Sequence, residues 1–150
     1  MTDSLLELLS EFGVRDLYDL SRIPNPAAGA NATYVFEQAR AVRLLAARAT
    51  VTTDANAANR IVSLDFLPAG AFVALRNLPA VAITASTTGQ QVEWGTQYGQ
   101  WDVNTNTPLV VPLTDEWMPG PLAVRFTLDN IQAGDTLTAL SIVAQVIPAR

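Results

Sequence analysis

The spacing of apolar residues changes period once along the chain. Leu5, Leu6, Leu8, Leu9 and Phe12 recur at helical spacing and form one stripe. Ser4-Leu5-Leu6-Glu7 ahead of them is a capping box, in which serine and glutamate satisfy each other's free backbone donors. Gly13 is a natural stop, and Val14 to Leu20 reads as a second short helical turn. "SRIPNPAAGAN", residues 21–31, carries two prolines, a glycine and two asparagines, and predicts an extended linker. From about residue 40 the period becomes 2. "AVRLLAARATVTT" predicts a long strand: Leu44-Leu45-Ala46-Ala47 is ambiguous, but the β-branched end Thr50-Val51-Thr52-Thr53 favours strand. "RIVSLDF" (60–66) alternates, with Val62, Leu64 and Phe66 on one face and Ile61, Ser63 and Asp65 on the other. Asp54-Ala55-Asn56-Ala57-Ala58-Asn59 lies between, rich in side chains that bond their own backbone, and the whole reads as a hairpin.

Further strands are predicted near "AFVAL" (71–75), "AVAITAS" (80–86), "QVEWGTQY" (91–98), "PLVVPL" (108–113), "LAVRFTL" (122–128) and "TLTALSIVAQVI" (136–147). Pro68-Ala69-Gly70, Thr88-Gly89, Asn104-Thr105-Asn106, Pro119-Gly120-Pro121 and Ala133-Gly134-Asp135 separate them as turns. Short strands at such intervals predict a mainly β fold: a jelly-roll-like antiparallel β-sandwich with a short N-terminal helical arm. Residues 1–32 are expected to be arm and linker, and 33–150 the sandwich.

Composition narrows the chemistry. The 150 residues contain no cysteine and no histidine, and all nine basic residues are arginine. Disulfides, thiolate metal sites, imidazole bases and Schiff-base lysines are therefore absent. A 49% apolar content supports a real core, and no apolar run approaches the ~20 residues of a membrane span. Met1-Thr2-Asp3-Ser4 lacks the basic start of a signal peptide. The net charge of −5 is uneven: acids dominate residues 1–20 and 61–150, whereas Arg22, Arg40, Arg43, Arg48 and Arg60 make 21–60 basic. An acidic chain is a poor general binder of nucleic acid, and no nucleic-acid or membrane partner is expected. Arg43 and Arg48 are candidates for contact with an acidic protein surface.

Three constellations carry candidate chemistry. Trp94, Tyr98 and Trp101, among Gln90, Gln91, Gln97, Gln100 and Asp102, would make a sugar-stacking platform if exposed, or fill a core or interface if buried. Trp94 and Tyr98 share strand parity and Trp101 does not. Asp54, Asn56 and Asn59 present oxygens at loop spacing, but lack the glycine and closing glutamate of a calcium loop, so Asx-turns explain them better. Asp115 and Glu116 beside Trp117, with Glu93 and Asp102 elsewhere, are carboxylates of the type a glycosidase uses; adjacent acids point apart, and no partner can be placed. No phosphate loop or serine elbow is present. No catalytic residue, metal ligand or cofactor is assigned.

The sandwich portion resembles small structural proteins of tailed bacteriophages, over roughly residues 40–147. Three features carry the resemblance: "RATVTTDANAANRIVSLDF"; "DEWMPGPLAVRFTLDNIQAGDTLTALSIVAQV", with its acidic-Trp-x-Pro turn, arginine-bearing strand and "QAGD"; and an N-terminal arm followed by a Pro/Asn linker. It implies a non-enzymatic virion component, a capsid decoration or cement protein, made in the host cytoplasm and placed on the particle surface. The expected partners are its own copies, as a homotrimer, and the major capsid protein or other virion proteins. Leu5, Leu6, Leu8, Leu9, Phe12, Arg43 and Arg48 are the expected interface. The alternative is a carbohydrate-recognition module of a fibre or tail spike.

Overall fold

A computed structural model describes residues 15–20, 23–71, 74–95, 109–113 and 116–149. The described chain is mainly β, in two sheets whose inner faces share one apolar core. Sheet A contains β1 (Arg15–Leu20), β3 (Ala39–Thr52), β6 (Gln90–Gly95), β7 (Leu109–Pro112), β8 (Met118–Pro119) and β10 (Thr136–Pro148). Its order is β1-β10-β3-β6-β7, and β8 pairs with the start of β3 at Ala41 and Val42. Sheet B contains β2 (Ala32–Phe36), β4 (Arg60–Pro68), β5 (Arg76–Ile83) and β9 (Leu122–Asp129), in the order β2-β9-β4-β5. All pairs are antiparallel except β6 with β7, which is parallel and departs from the expected all-antiparallel pattern. Parallel neighbours need a long connection, and residues 96–108 provide it.

Alternation builds the core as the sequence predicts. Val62, Leu64 and Phe66 of β4 and Leu122, Val124, Phe126 and Leu128 of β9 face Val42, Leu44, Ala47, Val51, Val92 and Trp94 of sheet A. Trp94 joins the layers: its ring meets Phe126 edge-on at 5.8 Å, and its Nε1 donates to the Leu78 carbonyl at 3.1 Å. An indole buried this way keeps its one donor paired.

Several elements differ from the expectation. Residues 15–20, read as a helical turn, form β1; their weak periodicity yields to the free edge of β10, which they pair from Arg15↔Val146 to Leu20↔Ile142. The helical arm ahead of them, with Leu5, Leu6, Leu8, Leu9 and Phe12, lies outside the described residues. "AVAITAS" (80–86) overlaps β5 only at its start, because register with β4 runs from Phe66↔Arg76 to Arg60↔Ile83; of "AFVAL" (71–75), Ala71, Ala74 and Leu75 lie in no strand and residues 72–73 lie outside the described residues. Pro79 sits within β5, which an edge strand tolerates, and an irregularity opposite Ile61/Ser63 accompanies it. Strand β2 and the two-residue β8 were not anticipated.

The largest correction concerns "RATVTTDANAANRIVSLDF". Its two strands are not a hairpin: β3 lies in sheet A and β4 in sheet B, and residues 53–59 cross between the layers. The β9–β10 connection makes a second crossover from B to A. Because β3 pairs β10 and β4 pairs β9, the two crossovers lie side by side at one end of the sandwich.

Candidate functional site

At the crossover end, one arginine organises both connections. Arg60 starts β4 on the core-facing parity of Val62, Leu64 and Phe66, so its guanidinium is driven inward and reaches 0% exposure. Its five N–H donors are all used. Nε donates to Asp135 Oδ2 at 2.9 Å, and Nη2 donates to Asp135 Oδ1 at 3.0 Å and Asp54 Oδ1 at 2.6 Å. Nη1 donates to the carbonyls of Asn56 and Ala58. A planar fork matched in this way is what makes a buried charge tolerable. The carboxylates are equally occupied. Asp54 accepts from the Asn56 backbone and amide and from Gly134 N, while Asp135 accepts from Asp54 N and Gln132 N.

The Asx-turn expected at Asp54 and Asn56 is therefore present, with Asn56 N donating to Asp54 Oδ1 at 3.0 Å. The glycine of "QAGD" is required by close approach, since a Cβ on Gly134 would lie 2.8 Å from Asp54 Cβ. Extended residues 23–31 join the same end: Gly29 N donates to the Asp135 carbonyl and Asn31 Oδ1 accepts from Leu128 N. Burial raises the pKa of Asp135, but the Arg60 hydrogen bonds, the Gln132 and Asp54 N–H groups and the Arg60 charge outweigh it, holding the carboxyl below its ordinary range. The same partnership raises Arg60. This cluster is a staple; a group engaged on every side is not a reacting one.

The expected interface arginines lie on the outer face of sheet A. Arg43 and Arg48 lie five positions apart on β3, which in a regular strand would point them to opposite faces. A bulge corrects the phase: Val143 pairs Ala46 but Ala144 pairs Leu44, leaving Leu45 as the extra residue. Both arginines consequently share the outward side with Leu45, Ala46 and Val143. A second bulge in β10, between Thr138 and Ser141, places Ala139 at φ 50° and lets Leu140 rejoin the core.

Cross-strand register arranges this face in rows. Val143, Ala46, Gly95 and Pro112 make one apolar row of largely small residues across β10, β3, β6 and β7. Beside it run Ser141, Arg48, Glu93 and Val110, then Thr138, Thr50 and Gln91. Arg48 Nε lies 3.1 Å from Glu93 Oε1, with the arginine side chain 67% exposed, and Arg43 reaches Gln145 Oε1 at 3.4 Å. Between the last two rows, next to the Ala139 bulge, lies an open polar groove of about 240 Å³ lined by Arg48, Thr50, Gln91, Glu93 and Ser141. The outer face of sheet B contrasts with this one: Asp65 is buried there and accepts from Arg125 Nη2 at 3.0 Å and from Asn77 Nδ2.

The remaining candidates separate. Trp94 is a core residue at 0% exposure and offers no ring face to a ligand; Tyr98 and Trp101 lie outside the described residues. Glu116 is paired with Arg76, Nε to Oε1 at 2.8 Å, and that hydrogen bond lowers its pKa, opposite to what a general acid needs. Glu93 is taken by Arg48, and Asp102 and Asp115 lie outside the described residues. Leu75 and Trp117, the chain neighbours of the Arg76–Glu116 pair, are 46% and 41% exposed. Among the described residues no group of three or more acidic side chains gathers around a metal-sized space, and no helix is long and apolar enough to cross a membrane. Sequence reasoning missed Arg60 and Asp135 as partners, although an arginine on the core parity of β4 was a visible signal. No protein-family model, curated protein or solved structure matches the chain.

Proposed function

We propose that this chain is a non-enzymatic structural protein of a tailed-bacteriophage virion, a decoration or cement protein that binds and stabilises the head. In this reading the two sheets are a jelly-roll-like sandwich carrying a short helical N-terminal arm. The protein assembles as a homotrimer on the particle surface, and its mechanism is adhesion between neighbouring subunits.

The observation that supports this best is the outer face of sheet A. It is broad and half-apolar, and a bulge in β3 sets Arg43 and Arg48 on the same side as Leu45, Ala46 and Val143. Apolar rows rimmed by arginine are the common composition of protein contacts. The ion pairs of Glu93 and Glu116 and the full engagement of Asp54 and Asp135 leave these acids occupied in structural roles. The carbohydrate alternative loses Trp94, the first member of its platform.

The test is a titration of heads that lack the protein with the purified chain. Saturable binding at a fixed number of copies per capsid, with heads that better withstand heat or low salt, is the expected result. Absence of saturable binding overturns the proposal.

A further inference from the structure

We propose that β2 (Ala32–Phe36) pairs with β2 of a second copy, antiparallel and centred on Tyr34, so that sheet B runs on across a two-fold axis. This contact goes beyond the trimer proposed above, because it ties together copies that belong to neighbouring trimers.

The register of β2 decides which of its backbone groups are free. Leu128 N donates to Asn31 Oδ1, so the N–H groups of β9 at that parity, Leu122, Val124, Phe126 and Leu128, point toward β2. Their partners Ala32, Tyr34 and Phe36 therefore turn their own N–H and C=O groups back to β9. Thr33 and Val35 turn theirs outward. Thr33 is exposed, and no backbone hydrogen bond reaches either residue from the described loops. An edge of this kind is a template for another strand. The other described edge strands are guarded: β5 by Pro79, β7 by Pro112, β8 by Pro119, and β1 by Arg15, Asp16 and Asp19. Strand β2 has neither a proline nor a charge.

The partner is a second copy because the edge is complementary to itself. With Tyr34 on the axis, Thr33 meets Val35 of the second copy, and each such pair exchanges both of its backbone hydrogen bonds. Ala32 meets Phe36, small against large, and Asn31 meets Glu37, so no like charges face each other. Tyr34 is half-buried at the margin of the core, edge-on to Phe36 at 4.9 Å. The two Tyr34 rings meet where the strands approach most closely, and each covers the other. On the outer face Arg125 stands beside Thr33, but Asp65 holds it at 3.0 Å. Across the axis its row continues through Val35 and Ala123, so it meets no second arginine. The same patch on both copies makes this an isologous contact.

The absence of native cysteine makes a register-specific test. Chains carrying Thr33→Cys and chains carrying Val35→Cys are mixed at high concentration and oxidised. Opposed Cα atoms at about 5.5 Å suit a disulfide, whereas Thr33 to Thr33, or Val35 to Val35, lies diagonal at ~7–8 Å and does not. The mixture should give a linked pair of chains, and each variant alone about tenfold less. Adding Thr33→Pro to the Val35→Cys chain should remove most of that product without lowering its melting temperature, because the lost N–H faces away from β9. Equal yields from all three samples, or no product from the mixture, overturn this inference. A trimer in sedimentation without the product leaves the trimer reading standing. The product from chains that sediment only as dimers supports the β2 contact and removes the trimer.

Discussion

Arg60 shows how one side chain fixes two connections. Its guanidinium stands where a cation would be expected among Asp54, Asp135 and the carbonyls of Asn56 and Ala58, and it is delivered by the parity of β4 rather than taken from solvent. Removing one member of such a cluster leaves buried charge without a partner. Arg60→Ala should lower the melting temperature by about 10 °C or more. Low guanidinium concentrations should restore part of that loss in the variant while only destabilising the natural protein. Arg60→Lys should fall between, because an ammonium cannot serve five acceptor directions. Gly134→Ala should destabilise by about 1–3 kcal/mol, since its Cβ would press on Asp54. The pH dependence follows from Asp135. Its folded pKa lies below its unfolded one, so its contribution is complete above the unfolded value of about 4 and is lost as pH falls through the folded value. With no histidine in the chain, melting should be nearly constant from about pH 5 to 8 and should fall below about pH 4. Asp135→Asn should melt lower at neutral pH and show a shallower acid decline in calorimetry.

At the scale of elements, the sequence is most legible where one face is buried against the other sheet. Strands β3, β4, β9 and β10 were readable because Val42, Leu44, Val62, Leu64, Val124, Phe126 and Ile142 alternate with outward residues. Pairing was not readable. Alternation says which way a side chain points but not which strand lies beside it, and so β3 and β4 pass for a hairpin while belonging to opposite sheets. Strand β1 was hidden because six residues on an edge are held by their backbone hydrogen bonds more than by their own propensity. The site was half legible. Arg43 and Arg48 could be named, but only the Leu45 bulge puts them on one face, and nothing in "VRLLAARA" marks it. The β10 bulge carries a prediction of its own. Ala139 holds φ 50°, a conformation that costs an L-residue ~1 kcal/mol or more. Ala139→Gly should therefore raise the denaturant midpoint slightly, and Ala139→Val should lower it by the equivalent of about 1–2 kcal/mol. Equal effects of both substitutions would mean the bulge is unstrained.

The whole molecule is a two-sheet sandwich stapled at its crossover end, with a broad, half-apolar outer face on sheet A. A chain with 49% apolar and 15% charged residues and such a face is expected to associate, because closed symmetric oligomers are the common outlet for apolar surface. Sedimentation at micromolar concentration should show a trimer, and Leu45→Glu with Val143→Glu should shift it toward monomer without lowering the melting temperature. The proposed role is that of a virion component that works by adhesion. A cryo-EM map of the particle assembled from the genome that encodes this chain tests it most directly. The expected result is two-sheet density at regular, symmetry-related positions on the head surface, with the outer face of sheet A turned toward a neighbouring subunit. A complete map of the particle with no such density at any position would contradict it.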